Sequence, residues 1–198
     1  MKLGVLGGTF DPIHFGHLRI AEAARKIIGL DKVVFIPTGI PWLKAGTKIT
    51  DANHRMEMVR LAIKPNKFFS VSSIDVDRLG NTYTRDTLVE LKKELPTSTQ
   101  IFFIIGSDSF NSFSKWKEPE EILRLANLVV IKRPGHLWQQ FNKIQDNVIF
   151  VEGPIVNISG TEIRSRAADG NLLEEMIPKS VEDYIYQNNL YSNKEHYG

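Results

Sequence analysis

Lys2-Leu3-Gly4-Val5-Leu6-Gly7-Gly8-Thr9-Phe10-Asp11-Pro12-Ile13-His14-Phe15-Gly16-His17-Leu18 is the stretch on which the fold turns. Residues 3–6 form a compact apolar run closed by Gly7-Gly8, the mark of a buried strand. Past the loop, Leu18, Ala21, Ala24, Ile27 and Ile28 recur at helical spacing until Gly29 ends the helix. The helix start points free N–H groups and its positive dipole end back at a loop whose glycines let a ligand come close. That arrangement favours bound phosphate.

The same alternation continues outward. Residues 33–36 read as a second buried strand closed by Pro37, followed by a Gly- and Pro-bearing loop over 38–50. Asp51 reads as a helix cap with Met56, Val59, Leu61 and Ile63 packing behind it. A strand is expected over 68–74, a helix over 84–95 ended by Pro96, and the most apolar short run, 101–105, as a central strand. A helix over 118–125, strands over 128–131 and 148–151, and helices over 161–168 and 180–188 complete the pattern, with 134–147 as a surface excursion. Strands alternating with helices predict an α/β fold, a doubly wound, mostly parallel sheet with a small C-terminal helical portion. Residues 1–198 are expected to form one domain. In such sheets ligands sit at the carboxyl ends of the strands, near a topological switch point.

Composition sets the outer limits. Twenty-five basic and 23 acidic residues leave a net charge of +2, too balanced to make nucleic acid or an anionic membrane the main partner. Cysteine is absent, so disulfides and thiolate metal sites are excluded. The apolar run behind Lys2 is too short for a signal-peptide core, and no later stretch is long enough to span a bilayer. A cytoplasmic protein is the expectation.

His14 and His17 lie three apart, on one face near the helix start, where two imidazole donors can serve one oxyanion site. No cysteine or His-Glu-x-x-His pattern completes a zinc set, and no protein-held metal is expected. Neither the Gly-x-Gly-x-x-Gly fingerprint nor the Gly-x-x-x-x-Gly-Lys-Ser/Thr loop is present, which weighs against dehydrogenases and P-loop enzymes. Near the other end, Ile158-Ser159-Gly160-Thr161-Glu162-Ile163-Arg164 reads as a turn feeding a helix. Ser159 or Thr161 can cap it, both hydroxyls can bond phosphate, and Arg164 offers a permanently charged planar fork. Simple helix capping would explain this segment if it stood alone.

Gly8-Thr9-Phe10-Asp11-Pro12 followed by His14-x-x-His17 resembles the signature of the nucleotidyltransferase superfamily with its (T/H)xGH motif. Residues 158–164 resemble its Ile-Ser-Ser-Thr-x-Ile-Arg segment, with Gly160 where the second serine is usual. Tyr83-Thr84-Arg85-Asp86-Thr87-Leu88 resembles an element of the nicotinate and nicotinamide mononucleotide adenylyltransferases. Gly106-Ser107-Asp108, with Trp116 eight residues after Asp108, is similar to their mononucleotide site. A carboxylate at a strand end suits ribose hydroxyls, and an indole offers a flat surface to a pyridine ring. By its residues alone, Trp116 is equally a partly buried packing residue.

The resemblance spans roughly residues 3–191 and implies a Rossmann-like nucleotidyltransferase fold. It implies a transferase that joins the adenylyl group of ATP to nicotinate mononucleotide in NAD biosynthesis, releasing pyrophosphate, and admits a homo-oligomer. It places Gly7, Gly8, Thr9, Phe10, His14, His17, Gly106, Asp108, Ile158, Ser159, Thr161 and Arg164 around ATP. Thr9, Lys44, Thr84, Arg85, Asp108 and Trp116 fall to nicotinate mononucleotide, and His14, His17, Lys44 and Arg164 to charge stabilisation. Pro41-Trp42-Leu43-Lys44 stands where Pro-Pro-His-Lys is usual, so only Pro41 and Lys44 match. A phosphate monoester is already anionic near neutral pH, so the work expected of the protein is alignment and electrostatics. Mg2+ is expected to bridge phosphate oxygens instead of sitting in a carboxylate cage. Two other readings share these motifs: a pantetheine-phosphate adenylyltransferase, which leaves residues 83–88 and Trp116 unexplained, and a non-catalytic nucleotide sensor.

Overall fold

The computed structural model describes residues 1–41, 49–132, 147–154 and 157–192. Six parallel strands form the main sheet: β1 (Lys2–Gly8), β2 (Lys32–Pro37), β4 (Phe69–Val71), β6 (Gln100–Gly106), β7 (Asn127–Lys132) and β8 (Val148–Glu152), in the order β4-β2-β1-β6-β7-β8. From β1 the chain winds outward through β2 to β4, then returns to the other side of β1 and winds outward through β6, β7 and β8. The switch point therefore lies between β1 and β6, paired from Lys2–Gln100 to Leu6–Ile104. A parallel two-residue ribbon joins β3 (Ile40–Pro41) to β5 (Asn81–Thr82) and ties the loop after β2 to the segment before the third helix.

Side-chain alternation along the strands builds a core on each face. Leu6, Val33, Phe35, Phe102, Ile104, Val129 and Ile131 face α1 (Phe15–Ile28), α2 (Ala52–Ile63), α6 (Gly160–Ala168) and α7 (Lys179–Gln187). Leu3, Val5, Val34, Ile36, Ile101, Phe103, Ile105, Leu128 and Val130 face α3 (Thr84–Glu94), α4 (Ser107–Asn111) and α5 (Pro119–Leu125). Continuous apolar runs are what parallel strands covered on both faces require.

Helix ends follow local chemistry. Gly29 closes α1 in the left-handed region at φ 70°, a conformation a side chain disfavours, and its N–H donates to the Arg25 carbonyl. Asp51 caps α2, its carboxylate accepting the Asn53 amide at 2.9 Å. The third strand is shorter than the expected 68–74. After Val71 the chain leaves the sheet: Asp77 N–H donates to the Ser73 carbonyl at 2.8 Å and the Ser73 hydroxyl to Asp77 Oδ2 at 2.6 Å, closing a turn. Most of the expected excursion over 134–147, and Trp42, Leu43 and Lys44, lie outside the described residues. No described helix is long and apolar enough to cross a membrane.

Candidate active site

The carboxyl ends of β1 and β6 open into a cleft at the switch point. Its larger chamber, about 370 Å³, is lined by Gly7, Gly8 and Thr9 at the end of β1, by Gly106, Asp108, Ser109 and Trp116 at and beyond the end of β6, and by Thr38, Asp75, Thr82, Thr84 and Thr87. A second chamber, about 230 Å³, is lined by His14, Gly16, Lys132, Ile158, Ser159 and Gly160. His17 and Ile20 line both, so the two chambers meet at His17.

The histidine pair sits at the start of α1. His14 caps the helix in an extended conformation and is 7% exposed. Its backbone N–H donates to His17 Nδ1 at 3.2 Å. With Nδ1 accepting, the ring proton of neutral His17 resides on Nε2, and the residue lines both chambers. The two imidazoles stack with centroids 3.7 Å apart, and Phe10 meets His17 edge-on at 5.0 Å. Phe10 itself is 1% exposed, so its ring forms the bed beneath His17 and presents no side chain to a ligand. It lies at φ 49°, unusual for a side-chain-bearing residue. A Cβ at position 8 would meet the Phe10 ring at 3.0 Å, so glycine there lets the strand end pass over the phenyl.

The two distant motifs meet through backbone. Arg164 on α6 donates Nη1 to the Asp11 carbonyl at 2.7 Å and Nη2 to the Thr161 hydroxyl at 3.3 Å. Ser159 caps α6 by accepting the Glu162 amide at 3.1 Å. Gly160, where serine is usual in the motif, faces a tight approach: a Cβ there would lie 3.1 Å from the Asp11 oxygen and 3.3 Å from Arg164 Nη1. Asp11 is fixed on its side-chain end as well. Its carboxylate accepts the Tyr191 hydroxyl at 2.7 Å and the Thr50 amide at 3.3 Å.

Beyond β6, Trp116 is half-buried, tilted against Phe113 at 5.5 Å and edge-on to Phe103 at 6.2 Å, while still lining the cleft. Packing and an exposed ring face therefore coexist in one residue. Thr84 lines the same chamber, whereas Arg85 is not among its described lining residues. The Arg85 guanidinium is engaged by Asp86 at 2.9 Å and Glu118 at 3.5 Å, which raise its pKa further.

Three further residues of the larger chamber, Asp75, Thr38 and Thr82, carry no sequence signal. Asp75 is 4% exposed and accepts the Thr87 hydroxyl at 2.6 Å and Arg78 Nη1 at 2.9 Å, with burial pushing its carboxyl up from the ordinary range. The hydroxyl oxygens of Thr38 and Thr82 are buried without a hydrogen-bond partner among the described residues, and both residues line the chamber. Buried hydroxyls in native proteins are normally paired, so these two suit a polar ligand. Isolated threonines and an aspartate in a loop carry no periodic signal that would single them out.

This geometry can be set beside known proteins. The family model described as cytidylyltransferase-like matches residues 5–166. A Thermoanaerobacter protein named probable nicotinate-nucleotide adenylyltransferase is 45% identical, covering 100% of this chain and 98% of its own length. A Dehalococcoides mccartyi protein of the same name is 40% identical, with 98% of each chain covered. Among solved structures, Plasmodium falciparum nicotinic acid mononucleotide adenylyltransferase complexed with NaAD superposes with a TM-score of 0.77, covering 96% of this chain and 97% of that one. At 21% identity that likeness speaks for the fold, and the sequence relatives speak for the family. The chain belongs to the cytidylyltransferase-like nucleotidyltransferases and, among them, to the nicotinate-nucleotide adenylyltransferase family.

Proposed function

We propose that this enzyme aligns ATP and nicotinate mononucleotide along the cleft and transfers the adenylyl group at the junction of its two chambers. The observation that carries this reading is the position of His17, which lines both chambers at the switch point. An oxygen of the acceptor 5′-phosphate attacks the α-phosphorus of ATP, and the bond from that phosphorus to the oxygen bridging to the β-phosphate breaks. Pyrophosphate takes the electron pair, and the products are nicotinate adenine dinucleotide and pyrophosphate.

The nucleophile is already an anion, so no side chain has to remove a proton from it. The protein holds two anions in line and stabilises charge as it shifts toward the leaving group. His17 lies at the junction, His14 is stacked beside it, and the start of α1 adds the positive end of its dipole. Arg164 is not among the described residues lining either chamber; the Asp11 carbonyl holds it close to Gly160, which lines the smaller one, and its charge is assigned to the triphosphate on the strength of its motif. Lys44 is assigned to the same charge on the strength of its motif. Thr38, Thr82, Thr84, Asp108 and Trp116 surround the acceptor end, with Trp116 as the surface for the pyridine ring.

Magnesium, when bound, neutralises phosphate charge and fixes the triphosphate geometry. The donor chemistry suits an ion carried by the nucleotide: among the described residues no three His, Asp or Glu side chains group as a metal cage. Phosphate oxygens and water would then supply most of the ligands.

Pyrophosphate release with ATP and magnesium tests the reading directly, comparing nicotinate mononucleotide, nicotinamide mononucleotide and 4′-phosphopantetheine. Fast release with nicotinate mononucleotide, abolished by EDTA and restored by magnesium, is the expected result. Release with phosphopantetheine alone would overturn the acceptor assignment, and silence with all three would favour a nucleotide sensor.

A further inference from the structure

Arg55 on α2 is 1% exposed, yet it belongs to neither phosphate-facing motif. Every nitrogen of its guanidinium donates to a main-chain oxygen: Nε to Thr50 at 2.8 Å, Nη1 to Thr9 at 2.7 Å and Nη2 to Gly39 at 3.1 Å. The three carbonyls lie on three separate connections, the loop after β1, the loop after β2 and the lead-in to α2. A planar fork of five N–H donors reaches three diverging acceptors at once; an ammonium on a single stem does not. Burying a permanent charge is unfavourable, and desolvation by burial lowers its pKa, with the charges of Asp11 and Asp51 opposing the shift.

The carbonyls it holds are next to the chemistry. Thr9 lines the larger chamber with His17, and Gly39 follows Thr38, which lines the same chamber and donates its amide to the Gly8 carbonyl at 2.9 Å. Thr50 is held at both polar ends, its carbonyl by Arg55 and its amide by Asp11 Oδ2 at 3.3 Å. Asp11 in turn places its carbonyl on Arg164 Nη1. One guanidinium thus fixes the phosphate-facing loop against the loop after β2 and reaches Arg164 through two intervening residues, Thr50 and Asp11.

We propose that Arg55 is a positioning residue for the transfer: it sets the separation across which acceptor phosphate and α-phosphorus meet. This rests on the adenylyl-transfer reading given above. A misplacement of about 1 Å at a reacting centre lowers rate by roughly 10²-fold. Arg55→Lys keeps the charge but not the fork, and Arg55→Met keeps much of the volume with no donor. Both are to be compared with wild type in melting temperature, in kcat, and in KM for ATP and nicotinate mononucleotide. The expected result is a folded Arg55→Lys protein with kcat down about 10²-fold and either KM changed by less than about threefold. A fall in melting temperature with kcat per folded molecule unchanged would overturn the proposal, since it would mean Arg55 only holds the fold.

Hydrogen exchange on the wild-type protein covers the case in which both variants fail to fold. If Arg55 couples the three connections, amides in 8–11, 38–40 and 50–53 share one opening free energy. Independent exchange of the three segments would overturn the coupling. Wild-type activity is read first, so an inactive wild type refutes the adenylyl-transfer reading while the exchange result still judges Arg55.

Discussion

At the residue scale the cleft depends on a few side chains whose neighbours decide what they can do. His17 receives an amide N–H on Nδ1, rests against Phe10 and stacks on His14, so its ring is held in one place where the chambers meet. His17→Ala removes that imidazole, and kcat for pyrophosphate release should fall by about 10²-fold, as for other preorganised charge stabilisers. Near-normal turnover in steady-state assays would contradict the role. Trp116 lines the cleft, and its proposed role depends on ring area. Stacking of a base on an aromatic side chain contributes roughly 1–3 kcal/mol, so Trp116→Ala should raise KM for the mononucleotide tenfold or more. KM for ATP is expected to stay within about twofold; a rise for ATP alone would show that the ring serves the other substrate. His14, His17, Asp108 and Trp116, which line the cleft, could be singled out in the sequence because each sits in a spaced motif. Arg55 and the Thr38–Thr82 pair were not. Helical periodicity was read from apolar residues only, although Arg55 shares the face of Val59 and Ala62, and a charge on an apolar face was the available signal.

At the scale of elements, short-range chemistry explains why so many boundaries could be read from the chain. Asp51 satisfies the Asn53 amide at the start of α2, so Asp51→Ala should lower stability by about 1 kcal/mol in urea unfolding. An unchanged midpoint would show that water replaces the cap. In α1, Glu22 is held down at about 2, from an ordinary 4.5, by its hydrogen bonds from Arg25 and by Lys26, against the opposing effect of burial. A depressed folded pKa means the pair stabilises α1 above pH 4.5 and loses that effect as pH falls toward 2. Solvent screens side chains 17% and 30% exposed, so the contribution is about 0.5 kcal/mol. Glu22→Gln should therefore melt lower than wild type at neutral pH and converge with it in acid; parallel melting curves across that range would refute the assignment. The strand expected over 68–74 shows where such reading stops. β-rich composition runs on past Val71, but the Ser73–Asp77 turn competes for the backbone, and only pairing with β2 decides which residues remain in the sheet.

At the scale of the molecule, strand order is a long-range property that no local window contains. Alternation of strands and helices implied a parallel sheet, but the placement of β6 beside β1 joins residues about a hundred positions apart and creates the switch point. The C-terminal region closes the same site from a still greater distance. Tyr191 hydrogen-bonds Asp11, whose carbonyl holds Arg164, so the turn after the last described helix and the first loop are parts of one framework. Burial, followed by the Asp11 charge, pushes the Tyr191 hydroxyl well above its ordinary 10. The folded protein therefore keeps a proton that the unfolded chain releases, and stability present below pH 10 is lost as pH rises beyond it. Tyr184 and Tyr186 are raised too, so several tyrosines share alkaline unfolding. Tyr191→Phe isolates one of them. At about pH 8 it should destabilise by about 1 kcal/mol for the lost hydrogen bond. Above pH 10 the variant no longer carries the proton linkage, so its deficit should shrink and the pH slope of stability should fall by about one proton. Urea unfolding at about pH 8 and pH 11 measures both quantities. A deficit that stays constant between them would mean that Tyr191 ionises in the folded protein as readily as in the unfolded chain, and that its contact with Asp11 does not hold the loop.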